Sequence, residues 1–339
     1  MEFRILSMNA SVQISASLFT QFDSIIDARS PAEYAEDHIP GAVSAPALDD
    51  AERTTIGTLY KQVSPFDARK LGAALLAKNV ARHVETLFRG KDSHWRPLVY
   101  CWRGGKRSGA MAHILHEIGW DVKTLEGGYR AYRRWVIEEL QRIPNGFKFI
   151  VIHGLTGSGK SRYLKTLQRT GEQVLDLEEL AAHRGSVHGK LPDRAQPSQK
   201  WFESELLAAL SALDPARTVY VEGESRKIGQ IQIPEALITR MRASPCILLE
   251  TDLETRVTLL LEEYRHFLED PRTLNAQLDC LVGLHGRDKI AEWKALAARG
   301  AWREFVERLL LEHYDPAYRR SSLHSFVRLH EAEKVRITA

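Results

Sequence analysis

The sequence predicts an α/β protein of two domains, each built on a parallel β-sheet, with a helical extension after the second sheet. At 339 residues the chain is long enough for two domains of ordinary size. Short apolar strands alternate with helical patterns from about residue 19 to residue 135, and the alternation resumes near residue 147. Such alternation indicates parallel sheets, whose functional loops lie at the carboxyl ends of the strands.

The boundary between the domains is predicted from turn residues. In the first domain SIIDAR, PLVYC and DVKTLEGG read as strands, and residues 67–88 read as a helix. The proline, asparagine and glycine of RIPNGF mark a break before the strand FKFIVI. Strand signals nearly stop after Thr251, where Asp252 is the expected N-cap of a long helix. We expect a first domain over residues 10–138, a linker over 139–146, a second domain over 147–251 and a helical extension over 252–339.

Composition narrows the class of protein. A hydrophobic fraction of 44% and a charged fraction of 27% are typical of a soluble globular chain. Its three cysteines, Cys101, Cys246 and Cys280, lie far apart without a CxxC pair, which argues against a disulfide framework or a zinc site. No apolar run reaches membrane-spanning length. We expect a cytoplasmic protein without a membrane partner or a metal centre; a net charge of +3 permits a nucleic-acid partner, and a monomer is compatible with the sequence.

Cys101 is the first candidate catalytic residue. It ends the strand PLVY and opens a loop rich in glycine and cations, after which a helical pattern begins. The candidate anion loop comprises Trp102, Arg103, Gly104, Gly105, Lys106, Arg107 and Ser108. Backbone N–H groups, a helix N-terminus and three cations would stabilise a thiolate and bind a tetrahedral anion above it. The alternative is a buried cysteine beside a solvated basic turn.

A second anion loop follows the strand FKFIVI and opens a helix. Its residues are Gly154, Leu155, Thr156, Gly157, Ser158, Gly159, Lys160 and Ser161, which satisfy G-x-x-x-x-G-K-[ST] in full. The glycines let backbone N–H groups surround phosphates, Lys160 would reach the terminal phosphate, and Ser161 would contact Mg²⁺ if one is present. The motif predicts a phosphate-binding loop (P-loop) without naming the phosphate compound.

Two carboxylates at strand ends are candidates for a base or for a ligand of magnesium-bound water. Glu222 ends TVYVE and Asp176 ends QVLD. Either one could equally cap a nearby loop. The polar loop AAHRGSVHGKLP, with His183 and Arg184, could close over a bound phosphate or simply be solvated.

The first domain resembles a rhodanese domain. IDARSPAEYAEDHIPGAVSAP resembles the early signature of that family, and CWRGGKRSGAMAHILHEIGWDVKTLEGGYRAY resembles its active loop and following helix. The resemblance implies that Cys101 is catalytic and carries a chalcogen as a persulfide-type adduct. This chain has five residues, WRGGK, before the arginine-serine pair, whereas the common sulfurtransferase loop has four. The longer spacing resembles rhodanese-like phosphatases and favours a phosphate-sized group above the sulfur.

Across almost its whole length the chain resembles the tRNA 2-selenouridine synthases. CWRGGKRS, HGLTGSGKS, AHRGSVHG, VEGESRKIG and EHYDPAY are similar to that family's motifs, in order. The resemblance implies replacement of sulfur by selenium in the wobble 2-thiouridine of tRNA, with selenophosphate as donor through a selenium adduct on Cys101. It also implies S-geranylation from geranyl diphosphate, whose diphosphate we expect at Lys160 and Ser161. No tightly bound cofactor is implied.

A tRNA substrate requires contacts to the RNA backbone. Candidate contacts are Arg130, Arg133 and Arg134, next to Trp135, and Arg319 and Arg320 after HYDPAY; solvated surface charge is the alternative for each. Two other functions remain open: a rhodanese-like phosphatase or sulfurtransferase fused to a P-loop kinase, and a non-catalytic tRNA-binding protein.

Overall fold

The structure is a computed structural model that describes residues 11–185, 189, 194–264, 271–318 and 325–337. The chain divides into two compact units. The first unit comprises Met1–Glu139 with Glu203–Glu205, and the second comprises Leu140–Phe202 and Leu206–Ala339. In the part of the chain that is described, no helix has the length and apolar character needed to cross a membrane.

The first unit contains a five-stranded sheet in which all strands run parallel. Its strands are β1 (Ser11–Val12), β2 (Ser24–Asp27), β3 (Val43–Ser44), β4 (Pro97–Tyr100) and β5 (Lys123–Leu125), in the spatial order β1-β5-β4-β2-β3. The helices are α1 (Pro31–Glu36), α2 (Asp50–Gln62), α3 (Pro65–Glu85), α4 (Lys106–Glu117) and α5 (Gly128–Arg142). Strand β4 is central and buried along its whole length, so the loop that follows it starts from a fixed point.

The second unit contains another parallel five-stranded sheet. Its strands are β6 (Lys148–His153), β7 (Gln173–Leu175), β8 (Thr218–Glu222), β11 (Cys246–Thr251) and β12 (Glu333–Ile337), in the order β12-β11-β6-β8-β7. A short antiparallel pair, β9 (Lys227–Ile228) and β10 (Ile231–Gln232), lies outside it. Strand β6 lies at the centre, where the strand order changes direction. In open α/β sheets ligands bind at the carboxyl edge of such a point.

Helices of the second unit pack around this sheet and continue beyond it. They are α6 (Lys160–Arg169), α7 (Leu177–Leu180), α8 (Gln199–Ser211), α9 (Glu235–Arg242), α10 (Leu253–Glu263), α11 (Pro271–Asp279), α12 (Val282–His285), α13 (Arg287–Ala298) and α14 (Trp302–Leu309), the last followed by a π-helical turn over Leu310–Tyr314. Asp252 is the N-cap of α10, as predicted, because its carboxylate accepts from the Thr255 N–H at 2.8 Å.

The α/β class with two parallel sheets is confirmed, and one expectation for the carboxyl-terminal region is wrong. We expected residues 252–339 to be helical, whereas β12 is a strand that pairs with β11 in register Ile247↔Glu333 to Thr251↔Ile337. The strand has only two apolar residues, Val335 and Ile337, among charged ones, because it lies at a solvated sheet edge. Its short alternating pattern is a weak signal, and pairing with β11 determines its conformation.

Gly128 is a position in the first unit at which an added side chain would collide with the backbone. Its φ is +58°, and a Cβ there would lie 2.1 Å from the Cys101 carbonyl oxygen. We expect Gly128→Ala to lower the free energy of unfolding by about 3 kcal/mol or more, from the left-handed backbone and the clash together. Gly41→Ala is the control, since Gly41 has φ +79° with nothing within 4 Å of its Cβ position, and should cost only about 1 kcal/mol. Urea denaturation measures both; equal losses would show that the clash is relieved by movement of the loop.

Candidate functional sites

Cys101 lies immediately after β4 and is buried, with 4% of its surface exposed. The Ser108 hydroxyl, in the first turn of α4, donates a hydrogen bond to the Cys101 Sγ at 3.1 Å. This hydrogen bond fixes the position of the sulfur relative to the first turn of α4. The structure therefore brings together the predicted nucleophile and the last residue of the predicted anion loop.

The start of α5 holds the Cys101 loop in position. The Tyr129 N–H donates to the Cys101 carbonyl at 2.8 Å, and the Arg130 N–H donates to the Trp102 carbonyl at 3.1 Å. Gly104, with φ +64°, packs so closely on this turn that a Cβ would lie 2.6 Å from the Leu125 carbonyl oxygen. In a trans peptide the carbonyl and the following N–H point in opposite directions, so these bonds turn N–H groups toward the anion side of the loop.

The cations of the loop have different environments. Arg107 is half-buried, and its Nη1 donates to the Glu33 Oε2 at 2.8 Å. Burial opposes ionisation of Glu33, but the hydrogen bond and charge of Arg107, together with smaller contributions from the Ser30 N–H and the charge of Arg53, lower the pKa of this carboxyl. Arg107 is therefore oriented by an acidic partner that the sequence did not reveal, while Arg103 and Lys106 are exposed at the loop.

A buried polar network lies beneath the Cys101 loop. The Arg29 guanidinium is 1% exposed and donates to the Asp27 carboxylate at 2.6 Å and to the Asp37 carbonyl at 2.5 Å. The Tyr100 hydroxyl donates to Asp27, and the Tyr129 hydroxyl to Asp37, each at 2.7 Å. The network thus joins the residues on either side of the loop, Tyr100 before Cys101 and Tyr129 after the loop. Two residues of this network, Asp27 and Arg29, belong to the IDAR segment. The sequence analysis assigned no role to either of them.

The P-loop of the second unit connects β6 to α6, as predicted. Gly159, the N-cap of α6, has φ +86°, and Lys160 Nζ donates to the Gly154 carbonyl at 3.0 Å. The Thr156 carbonyl accepts from the Arg256 Nε at 2.9 Å, and the Ser158 carbonyl accepts from the Thr251 hydroxyl at 3.0 Å. With these carbonyls bonded on the outer side, the following N–H groups point inward, as phosphate binding requires.

Arg256 and Asp315 form a buried ion pair that the sequence analysis missed. Arg256 is 3% exposed, and its two terminal nitrogens lie 2.6 and 3.0 Å from the Asp315 carboxylate oxygens. Asp315 belongs to EHYDPAY, whose last residue, Tyr318, accepts from the Gly154 N–H at 3.2 Å and lies 3.1 Å from the His153 Nδ1. Burial and the charge of Lys160 lower the pKa of His153 to about 3, so its ring is neutral. This late motif is folded against the P-loop.

Four carboxyl groups surround the first turn of α6. The Ser161 hydroxyl donates to Glu178 at 3.2 Å, and the Glu178 N–H donates to Glu222 at 2.7 Å. Burial raises the pKa of Asp176, Glu178 and Glu222, and burial with Glu178 alongside raises that of Glu224 to about 8. Asp176 also caps α7 by accepting from the Glu179 N–H at 2.8 Å. The sequence predicted Asp176 and Glu222 and missed Glu178 and Glu224.

Three of these four carboxyl groups line a cavity of about 870 Å³. Its walls include the P-loop from Thr156 to Ser161, the carboxyl groups of Asp176, Glu178 and Glu224, and Tyr318. His183 and Arg184 line it as well, and the Arg184 guanidinium stacks over Tyr264 at 4.8 Å. Residues 186–188 of the AHRGSVHG loop, which include His188, lie outside the described residues. The cavity is large enough for a diphosphate and part of an organic group.

The donors at this site suit a magnesium ion that arrives with its phosphates. Within the described residues no group of three or more His, Cys, Asp or Glu side chains could hold a metal. Ser161 and Glu178 are oxygen donors within hydrogen-bonding distance of each other. Mg²⁺ is commonly held by one or two protein oxygens together with substrate phosphates. This pair therefore fits a Mg²⁺ ion whose other ligands are phosphate oxygens.

The arginines predicted to contact tRNA differ in their exposure and in their ion pairs. Arg130 and Arg134 are exposed, whereas Arg133 is half-buried and forms an ion pair with Glu203, a residue grouped with the first unit. Trp135 packs edge-on against Phe19, with ring centroids 5.8 Å apart. Arg319 and Arg320 lie outside the described residues.

Removal of the Asp315 carboxylate tests whether the EHYDPAY motif supports the P-loop through Arg256. We expect Asp315→Ala to lower the free energy of unfolding by about 3–5 kcal/mol, because Arg256 is left buried without its partner, and to weaken pyrophosphate binding. The control is Glu304→Ala, which breaks an exposed pair with Arg299 and should cost no more than about 1 kcal/mol. Denaturant titration and calorimetric titration with pyrophosphate give both readouts. Unchanged pyrophosphate affinity in a folded Asp315→Ala protein would contradict this support.

The carboxyl group of Glu224 makes stability depend on pH. Its pKa is about 8 in the folded protein against an ordinary 4.5, so folding holds a proton that the unfolded chain loses. Stability is therefore greatest below about pH 4.5 as far as this group is concerned, and falls as pH rises toward 8. Glu224→Gln should flatten that fall, and Glu254→Gln, at an exposed position, should not. Urea denaturation between pH 5 and pH 9 measures the slopes; identical slopes in all three proteins would refute the assignment.

Both units match known families. Residues 13–134 match the family model described as a rhodanese-like domain, and residues 147–278 match that of the tRNA 2-selenouridine synthase AAA domain. Two similar proteins, both named tRNA 2-selenouridine synthase, come from Nitrosomonas europaea and Shewanella loihica, with 36% and 38% identity over 73% and 71% of this chain. The matches span 65% and 64% of those relatives, slightly under two thirds of their length.

A third relative of the same name covers more of both chains. The protein from Shewanella halifaxensis is 31% identical over 334 residues, which is 89% of this chain and 89% of the relative. The similarity thus includes both units and both anion loops, in the same order. The chain belongs to the tRNA 2-selenouridine synthase family.

Proposed function

We propose that this protein replaces the sulfur of the wobble 2-thiouridine in tRNA with selenium, in two half-reactions served by two anion sites. Membership of the family supports the overall reaction. The observation that carries the division of labour is the difference between the sites. One loop presents a buried thiol with a hydroxyl donating to it, and the other presents a phosphate cradle with a lysine and no thiol.

In the first half-reaction the P-loop binds the diphosphate of geranyl diphosphate. The thiocarbonyl sulfur of the uridine attacks the first carbon of the geranyl group, the carbon–oxygen bond breaks, and diphosphate leaves with the electron pair. The ring nitrogen then loses its proton to water. Lys160 and the inward N–H groups stabilise the charge on the departing diphosphate. Protonated carboxyl groups such as Glu224 avoid repulsion of that anion.

In the second half-reaction selenophosphate binds over Cys101. The Cys101 thiolate attacks phosphorus and not selenium. Attack on selenium to give a selenium–sulfur adduct and phosphate would require an oxidant. Attack on phosphorus forms a sulfur–phosphorus bond, breaks the phosphorus–selenium bond and releases hydroselenide. This differs from the selenium adduct expected from the sequence, and it agrees with a loop of phosphate size. The Ser108 hydroxyl holds the sulfur in position before attack.

Hydroselenide then attacks C2 of the S-geranyl uridine, and geranylthiolate leaves as the carbon–sulfur bond breaks. Water hydrolyses the phosphocysteine to phosphate and restores the thiol. The sum converts S-geranyl-2-thiouridine, selenophosphate and water into 2-selenouridine, geranylthiol and phosphate. No electrons are gained or lost overall.

The adduct on Cys101 should contain phosphorus and not selenium. The two adducts have nearly equal masses, so the element must be identified with selenophosphate labelled separately in radioactive selenium and radioactive phosphorus. After rapid acid quenching, wild type should retain phosphorus, and Cys101→Ser should retain neither label. Selenium retained on wild type alone would overturn the phosphocysteine step while leaving Cys101 as the nucleophile.

Variants of the two loops should separate the half-reactions. Cys101→Ser should convert 2-thiouridine to its S-geranyl form and accumulate it. Lys160→Ala should fail on 2-thiouridine, by a factor of about 100 or more, yet convert tRNA that was geranylated beforehand. Mass spectrometry of the nucleosides, with tRNA affinity as a control for folding, gives the profile of each variant. A folded Cys101→Ser protein that cannot geranylate would contradict the division of labour.

A further inference from the structure

A second cavity, of about 770 Å³, lies at the carboxyl ends of β11 and β12. Five of its lining residues are aliphatic: Leu155, Leu248, Leu249, Leu329 and Ile337. Its volume lies within the range of roughly 300–1,000 Å³ that is usual for small-ligand sites. The half-reactions described above leave this cavity without a role.

The second cavity adjoins the P-loop cavity. Ser158 and Tyr318 line both of them, and Leu155, of the P-loop itself, lines the second. Ser158 is 1% exposed and its hydroxyl has no hydrogen-bond partner. The aliphatic cavity therefore lies beside the loop that we propose holds the diphosphate, and it shares Ser158 and Tyr318 with the P-loop cavity.

Three polar side chains around this cavity are engaged elsewhere, and Arg336 lines it from an exposed position on β12. Glu250 pairs with Lys334 at 2.7 Å, and Asp252 caps α10. The Thr251 hydroxyl donates to the Ser158 carbonyl at 3.0 Å. A purine or pyrimidine base needs hydrogen-bonding side chains to be recognised, whereas a hydrocarbon needs only aliphatic contact. The interior of the cavity offers the second kind of surface.

We propose that this cavity holds the hydrocarbon chain of the allylic diphosphate whose head is bound by the P-loop. The inference rests on the proposed function and adds the site that selects the organic group. Each methylene buried there should tighten binding by about fourfold, which follows from apolar transfer free energies. Affinity should therefore rise steeply from inorganic pyrophosphate to dimethylallyl diphosphate and to geranyl diphosphate.

Leu248 is the residue with which to test the cavity, since it is half-buried on β11 and lies outside the P-loop. In the full-length protein Leu248→Trp should fill the cavity and lower the affinity for geranyl diphosphate at least about tenfold, which removes most of its gain over pyrophosphate. Pyrophosphate affinity should stay within about twofold of wild type, because the head site is unchanged. Leu248→Ala, which enlarges the cavity, should still bind geranyl diphosphate and should bind the longer farnesyl diphosphate more tightly than wild type does. Leu311→Trp, at an exposed position in the same unit, is the matched control.

Calorimetric titration of pyrophosphate, the three prenyl diphosphates and ATP distinguishes the outcomes. In one outcome wild type binds geranyl diphosphate more tightly than pyrophosphate while Leu248→Trp keeps the same difference in affinity. In that case the cavity assignment is wrong and the proposed function stands. If ATP binds and geranyl diphosphate gains nothing over pyrophosphate in wild type, the proposed function fails as well.

A second measurement, on the wild-type protein, tests the inference if Leu248→Trp does not fold. A geranyl diphosphate analogue with a photoreactive group at the end of its chain should label wild type within Cys246–Thr251 or Glu333–Ile337. Excess pyrophosphate should prevent the labelling, because it displaces the head. Labelling confined to other peptides would overturn the inference.

Discussion

In both units two carbonyl groups of the loop after the central strand are hydrogen-bonded to residues outside that loop, and the rest of each site depends on this constraint. Bonds from the start of α5 hold the carbonyls of Cys101 and Trp102. In the second unit Arg256 and Thr251 hold those of Thr156 and Ser158. The carbonyl and the following N–H of a trans peptide point in opposite directions. A hydrogen bond that fixes the carbonyl therefore also fixes the direction of that N–H. An anion site then follows from backbone geometry alone.

Charge at the two sites is balanced in different ways. In the first unit Arg107 is oriented by Glu33, so part of its charge is compensated before any ligand arrives. In the second unit burial raises the pKa of Glu224 to about 8, so this carboxyl group is mostly protonated at neutral pH and does not repel a diphosphate beside Lys160. Each arrangement limits the cost of an empty site while leaving an electropositive loop for the substrate.

Residues distant in sequence supply the supports of both loops. Asp315 is separated from the P-loop by more than 150 residues, yet through Arg256 it holds the Thr156 carbonyl. Tyr318 contacts both His153 and Gly154 from the same late motif. A motif near the carboxyl end of the chain can thus be required at the P-loop although none of its described residues belongs to that loop.

The sequence by itself determined the parallel α/β class, Cys101 at a strand end and the complete P-loop, because each depends on local patterns of apolar spacing and glycine placement. Only the tertiary structure decided which carboxyl groups surround Ser161, that Glu33 orients Arg107, and that β12 completes a sheet predicted to end earlier. These features join residues far apart in the chain. A pair such as Arg256 and Asp315 has no local signature, since its stability comes from burial that the folded chain alone provides.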